Sequence, residues 1–155
     1  DAELLSDLDA TVAWAKAQGG DTSRLGIIGF CRGGRTVWEY AAHSGALKAG
    51  AAFYGPLVDP QNPVWPKSPT QLAPDMKAPV LGLYGGKDQG IPLDTVDKMK
   101  AALATGTPAA KASSFVVYPE AGHAFHADYR PSYVRSAAED GWQRATAWFK
   151  ANGVA

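Results

Sequence analysis

Only one cysteine, Cys31, occurs in the 155 residues. No disulfide can therefore form within the chain, and cysteine usage says nothing about compartment. Charge of either sign is not in surplus, since fifteen Lys and Arg offset fifteen Asp and Glu. That balance offers no basic face to nucleic acid and no attraction to an anionic membrane surface. No apolar run approaches the ~20 residues that a membrane-spanning helix needs. The sequence shows no internal repeat, no low-complexity tract and no recognisable signal peptide. What remains is a globular composition, 46% hydrophobic and 19% charged, in a length that suits one domain over residues 1–155.

The one cysteine stands in an informative place. Leu25-Gly26-Ile27-Ile28-Gly29-Phe30 reads as a short buried strand, and Arg35 to His43 as a helix. Between them lies Gly29-Phe30-Cys31-Arg32-Gly33-Gly34, which is G-x-C-x-G-G, a strand-to-helix nucleophile elbow with cysteine in place of serine. So sharp a turn needs small neighbours, and Gly29 and Gly33 are expected to supply them by letting strand and helix approach closely. At the start of a helix, the positive end of the dipole favours a thiolate over a thiol at Cys31.

The rest of the chain alternates strand and helix. Asp1 to Ala17 reads as a helix with Leu4, Leu5, Leu8, Val12 and Ala15 on one face and acidic residues near its start. Strands are expected at Arg24 to Phe30, Ala49 to Tyr54, Val80 to Tyr84 and Ser114 to Tyr118. Leu93 to Leu103 reads as a helix, and Ser132 to Asn152 as a closing helix with a stripe of Val134, Ala138, Trp142, Ala145 and Phe149. Such alternation implies a mostly parallel sheet covered by helices on both faces, an α/β fold. Gly55 to Pro79 interrupts the pattern with seven of the eleven prolines and Trp65. So long a proline-stiffened stretch reads as a packed lid-like insertion over residues 55–79. A domain that opens on a helix of this kind is expected to lack its N-terminal part.

Catalytic groups in open α/β sheets gather at the C-terminal ends of the strands. Cys31 follows the first strand and Tyr54 the second. Gly85-Gly86-Lys87-Asp88 follows the third, and Pro119-Glu120-Ala121-Gly122-His123 the fourth. Nucleophile, acid and histidine thus arise at one edge in the chain order of α/β-hydrolase triads. In that arrangement His123 takes the proton of Cys31, Asp88 orients His123, and the backbone N–H of Arg32 donates to an oxyanion. The bland readings are a buried structural cysteine, a turn aspartate and a capping histidine. His126 is the rival base, His43 a dipole-favoured helix end, Arg35 a solvated helix start and Glu120 a surface residue.

With G-F-C-R-G-G, G-G-K-D and P-E-A-G-H-A-F in view, the chain resembles the dienelactone hydrolase (carboxymethylenebutenolidase) family of the α/β-hydrolase superfamily. The resemblance covers essentially the whole chain. It implies hydrolysis of small carboxylate-bearing esters or lactones by a cysteine nucleophile through an acyl-enzyme, with no metal and no organic cofactor. It implies Cys31 as nucleophile, Asp88 as acid and His123 as base, with Tyr54 as a pocket residue. Family members also carry a front half with the first sheet strands, a glutamate beside the cysteine, a substrate-binding arginine and the second oxyanion donor. The arginine usual soon after the catalytic histidine is replaced by Ala127, so Arg130 is the expected substitute, and Trp65 of the long insertion is a further substrate-binding candidate. The expected partner is a small ester or lactone. The expected state is a monomer, associated with its own preceding segment, in the cytoplasm, or in the periplasm if that segment carries a signal.

Two rival readings follow from the same residues. Gly29 to Thr36 also fits G-x-x-x-x-G-R-T, a phosphate-binding loop with arginine where lysine belongs. Alternatively the chain is a catalytically inactive part of a hydrolase.

Overall fold

The structure, a computed structural model, describes residues 1–58 and 62–155. Pro60, one of the prolines of the expected lid, lies outside the described residues. Helix α1 (Ala2–Ala17) leads through a 3-10 turn at Thr22–Arg24 into strand β1 (Gly26–Phe30). There follow α2 (Arg32–His43), β2 (Ala49–Phe53), the short α3 (Pro69–Leu72), β3 (Val80–Gly85), α4 (Leu93–Ala104), the short α5 (Pro108–Lys111), β4 (Ser114–Tyr118) and α6 (Arg135–Ala151). The four strands lie in the order β1-β2-β3-β4, all parallel, with Phe30 opposite Phe53 and Gly85 opposite Tyr118. Their C-terminal ends therefore share one edge. Among the described residues, no helix is long and apolar enough to cross a membrane.

Alternation along the strands places helices on both faces. A Cβ on Gly50 would meet Val37 of α2, whereas Phe53, three residues on, meets Gly141 of α6. The α2 face is closed by large side chains, with Val37 and Trp38 fully buried. The α6 face is closed by small ones: Ala137, Ala138, Gly141 and Ala145 are the buried residues of that helix. This corrects the expected stripe. Trp142 is 52% exposed, because α6 settles over β2 and β3 with its smallest residues against Phe53 and leaves Trp142 on the β1 side. Ile28 and Phe30 point to the same side, and they are 38% and 37% exposed. Helix α1 likewise buries no residue completely; Leu5, Leu8 and Val12 only flank the core.

The elbow is made by glycine, but not by the pair expected. A Cβ on Gly29 would lie 2.1 Å from the Gly33 carbonyl oxygen, so strand and helix do meet backbone to backbone there. A Cβ on Gly33 would meet nothing within 4 Å. The second close approach belongs to Gly34, whose Cβ would fall 2.6 Å from the Phe53 carbonyl oxygen, against the end of β2 rather than β1. Sequence spacing identifies the turn but not which face of its helix meets the sheet.

The stretch from Gly55 to Pro79 carries α3 and a 3-10 turn at Ala73–Asp75, and Ser68 with Gln71 forms a capping box at the start of α3. Leu57, Ser68, Pro69, Ala73 and Met76 are buried, so its described part is anchored to the body. Substitution of the elbow glycines by alanine in the intact polypeptide should separate these roles. Gly29→Ala and Gly34→Ala should each cost about 1–3 kcal/mol, the usual range for overpacking. Gly33→Ala should stay within about 0.5 kcal/mol of the parent. Equilibrium denaturation in urea measures all three.

Candidate active site

Among the described residues, three non-glycine residues have left-handed backbone, and all three stand at the C-terminal edge of the sheet: Cys31 (φ 52°), Tyr54 (φ 38°) and Ala124 (φ 60°). Such conformations cost of order 1–3 kcal/mol each and persist only where surrounding contacts impose them. At Cys31 the imposing contacts are visible. Its N–H donates to the Phe53 carbonyl at 3.0 Å, and its own carbonyl accepts from Arg35 N–H at 3.2 Å to begin α2. The side chain is left standing at the helix N-terminus, on an exposed residue.

Two loops bring partners to it. After β3, Gly85-Gly86-Lys87 turns tightly and delivers Asp88, whose side chain is 1% exposed. Asp88 Oδ1 accepts from the N–H groups of Gly90 (3.0 Å) and Ile91 (3.2 Å), so the aspartate is also the turn residue that its sequence setting suggested. Its other oxygen, Oδ2, lies 2.7 Å from His123 Nδ1. A carboxylate only accepts, so Nδ1 carries a proton toward Asp88 and Nε2 offers its lone pair on the opposite side of the ring. There Nε2 lies 3.2 Å from Cys31 Sγ. Sulfur, imidazole and carboxylate thus form one hydrogen-bonded line from exposed rim to buried floor. Lys87, in the same turn, pairs with exposed Glu120 across the loop that brings in His123, in keeping with the surface reading of Glu120.

The other expected residues divide. Tyr54 is 2% exposed, and its ring meets His123 edge-on at 5.2 Å. Burial and the neighbouring Cys31 sulfur raise its phenol to about 12, so it stays neutral through the range in which a thiol and an imidazole exchange protons. Arg130 is exposed, and its charge is felt at the Tyr54 hydroxyl in the opposite direction. Trp65 reaches the elbow through Arg32, whose guanidinium sits 4.1 Å from the ring centre. Arg32 is the first residue of α2, so its N–H belongs to the turn whose amides lack intrahelical acceptors. His126 lies elsewhere, between Phe30 (5.0 Å) and Trp142 (5.9 Å). His43 Nε2 donates to the Asp9 carboxylate (2.7 Å) near the end of α2.

Arg35 corrects the expectation most. It is fully buried, not a solvated helix start. It bonds Glu39, the Asp1 carboxylate (3.0 Å) and the Lys67 carbonyl (3.1 Å), and it lies 5.5 Å from the Trp65 ring centre. Its charge is thus committed within the protein, which also removes it from the role of phosphate-binding lysine in the rival loop reading. Burial raises the Glu39 carboxyl above its ordinary range, with Arg35 pulling the other way. The position was legible as a helix start; its burial was not, because the Asp1 and Lys67 partners are 34 and 32 residues away.

Comparison with known proteins gives the family of the chain. The model of the "Dienelactone hydrolase family" matches residues 1–153. A candidate carboxymethylenebutenolidase of Methylorubrum extorquens is 60% identical over 156 residues, covering 100% of this chain and 53% of that protein. One from Escherichia coli is 51% identical, covering 99% of this chain and 55% of that protein. The chain thus spans about half the length of the curated relatives it matches. The crystal structure of a candidate dienelactone hydrolase from Klebsiella pneumoniae superposes with a TM-score of 0.92 at 54% identity, over 97% of this chain and 61% of that one. A Pyrococcus furiosus esterase at 17% identity and a TM-score of 0.74, covering 96% of this chain and 61% of its own, shares the fold alone. With an α/β-hydrolase sheet, and with similarity over nearly its whole length, the chain belongs to the dienelactone hydrolase family.

Proposed function

We propose that the polypeptide containing this chain hydrolyses small esters or lactones, among them carboxylate-bearing ones, with Cys31 as nucleophile, His123 as general base and acid, and Asp88 as the group that orients it. The observation that carries this reading is the hydrogen-bonded line from Cys31 Sγ through both nitrogens of His123 to Asp88. Relatives named as candidate carboxymethylenebutenolidases support the substrate class.

The chemistry follows from that line. His123 Nε2 accepts the thiol proton of Cys31. The sulfur adds to the carbonyl carbon, and negative charge develops on the carbonyl oxygen. The Arg32 N–H donates to that oxygen. Collapse expels the alkoxide, which takes the proton from His123; in a lactone it stays tethered to the acyl group. His123 then deprotonates a water that attacks the thioester; breaking the C–S bond expels the thiolate, which takes that proton back from His123, and the acid product loses its own proton to solvent as a carboxylate. Tyr54, Trp65 and Arg130 contribute the substrate pocket, with Arg130 as the cation for a substrate carboxylate. The proline-rich stretch around Trp65 acts as its cover.

Two experiments on the intact polypeptide test the assignment. Cys31→Ala should lower kcat/KM for an aryl ester by about three orders of magnitude or more, as loss of a triad nucleophile does. In the parent, iodoacetamide should label Cys31 faster than a free thiol at pH 7. Turnover at the parent's rate in the alanine variant would remove the mechanism. His123→Ala should slow acylation by about 10²–10⁴-fold, the usual worth of a positioned base, while His126→Ala should leave it near the parent's rate. Stopped-flow release of the aryl alcohol reads both, and the opposite pattern would reassign the base.

A further inference from the structure

Beneath the proposed triad lies a buried polar chain that plays no part in the chemistry. Trp38 and Tyr84 are both fully buried. Trp38 Nε1–H donates to the Tyr84 hydroxyl at 3.0 Å, and that hydroxyl donates to the Gly55 carbonyl at 3.1 Å. The three groups come from α2, β3 and the segment that follows β2. The phenol is held neutral, chiefly by burial, so it can make this donation through the whole working pH range. A buried phenol of this kind needs both partners, because an orphaned polar group would otherwise remain in the core.

The position of the chain matters more than its satisfaction. Gly55 is the residue after Tyr54, whose backbone is left-handed and whose ring lies against His123. The Tyr54 N–H is fixed on the Leu83 carbonyl at 2.8 Å. The Gly55 carbonyl is fixed on Tyr84. Strained Tyr54 is therefore pinned on both sides by β3. Gly55 also lies against α2 so closely that a Cβ on it would fall 2.4 Å from the Gly34 carbonyl carbon. The same backbone contact carries the elbow, since the Cys31 N–H bonds Phe53, the residue before Tyr54. Two of the strained residues at this edge, Cys31 and Tyr54, thus rest on the short segment 53–55, and Tyr84 is its polar fastening from below.

We infer that Tyr84 is a positioning residue: through the Gly55 carbonyl it holds Tyr54 in its left-handed conformation, and so keeps the Tyr54 ring against His123 with Nε2 in line with Cys31 Sγ. This rests on the proposed triad and goes beyond it, because Tyr84 itself touches neither sulfur nor imidazole through its hydroxyl. Without the fastening, Tyr54 can relax toward ordinary backbone angles, the ring withdraws, and His123 shares the thiol proton less well. The consequence is a change in the pH at which Cys31 becomes reactive, not merely a loss of folded protein.

The test uses Tyr84→Phe in the intact polypeptide, which removes one oxygen and keeps the ring. Two quantities are read: kcat and KM for a small aryl ester, and the pH dependence of iodoacetamide labelling at Cys31, followed by mass analysis of its peptide. Positioning predicts a fall in kcat of about ten- to hundredfold, the range for small misplacement of reacting groups. It also predicts little change in KM and a labelling profile displaced to higher pH. Trp38→Phe, which keeps the Tyr84–Gly55 bond but removes the donor that orients the Tyr84 hydroxyl, should move the profile in the same direction by a smaller amount and serves if Tyr84→Phe does not fold. Trp38→Phe/Tyr84→Phe removes the orphaned indole N–H and should regain stability relative to Tyr84→Phe while keeping the displaced profile. A labelling profile unchanged in every variant that folds, or one that returns to the parent's as stability returns, overturns the inference. Cys31→Ala run alongside separates the two ideas. Full turnover there defeats the triad itself, whereas an inactive Cys31→Ala with an unaltered Tyr84→Phe defeats only the role of Tyr84.

Discussion

The site depends on a contact between bare backbones. Helix α2 begins so close to the ends of β1 and β2 that no side chain fits at Gly29, Gly34 or Gly55, where a Cβ would come within 2.1–2.6 Å of main-chain atoms. That approach leaves the chain no room for an ordinary turn between Phe30 and Arg32, and Cys31 takes φ 52° as a result. A residue so placed directs its side chain away from both strand and helix. The positive end of α2, the exposure of the sulfur and its reach to His123 all follow from how near the helix start sits to the sheet. Strain of order 1–3 kcal/mol at Cys31 is small beside the packing that enforces it, with Val37, Trp38 and Phe53 all fully buried around the same turn.

Asp88 shows how one side chain meets two demands. A carboxylate buried to this degree needs several donors, since a lone charge in the core would neutralise instead. Two backbone N–H groups of its own turn satisfy Oδ1, and the imidazole satisfies Oδ2. The turn hydrogen bonds hold the carboxylate independently of His123, so the imidazole faces a fixed acceptor and its tautomer is decided by geometry. The turn reading and the triad reading of Asp88 were alternatives in the sequence; in the structure Oδ1 bonds the turn and Oδ2 the imidazole, so the two do not compete.

The legible part of the sequence was the part governed by local rules. Strand β4 over Ser114–Tyr118 appears with the expected bounds, and the other strands within one or two residues, because apolar runs closed by glycine and proline carry their own punctuation. The order Cys31, Asp88, His123 was readable because a parallel sheet sends every strand end to one edge. What escaped depends on neighbours distant in the chain. Gly34 rather than Gly33 is the crowded glycine because β2, not β1, lies across from it. Trp142 stands clear of the core because Phe53 already fills the space above β2. The Trp38–Tyr84–Gly55 chain joins residues 46 and 29 positions apart, and no spacing rule links them.

A buried ion cluster sits beside the candidate site and takes no part in the proposed chemistry. Arg35, Glu39 and Asp1 are costly to bury, and a buried ion pair of this kind seldom adds much net stability, because desolvation offsets the attraction. Its contribution is one of position. An apolar contact between the proline-rich stretch and α2 would tolerate sliding, whereas a planar guanidinium bound to the Lys67 carbonyl and to two carboxylates accepts one arrangement. That arrangement sets Trp65 over Arg32, the residue next to the cysteine. Backbone contact fixes the elbow from within the sheet, and the Arg35 cluster fixes the segment lying over it from outside.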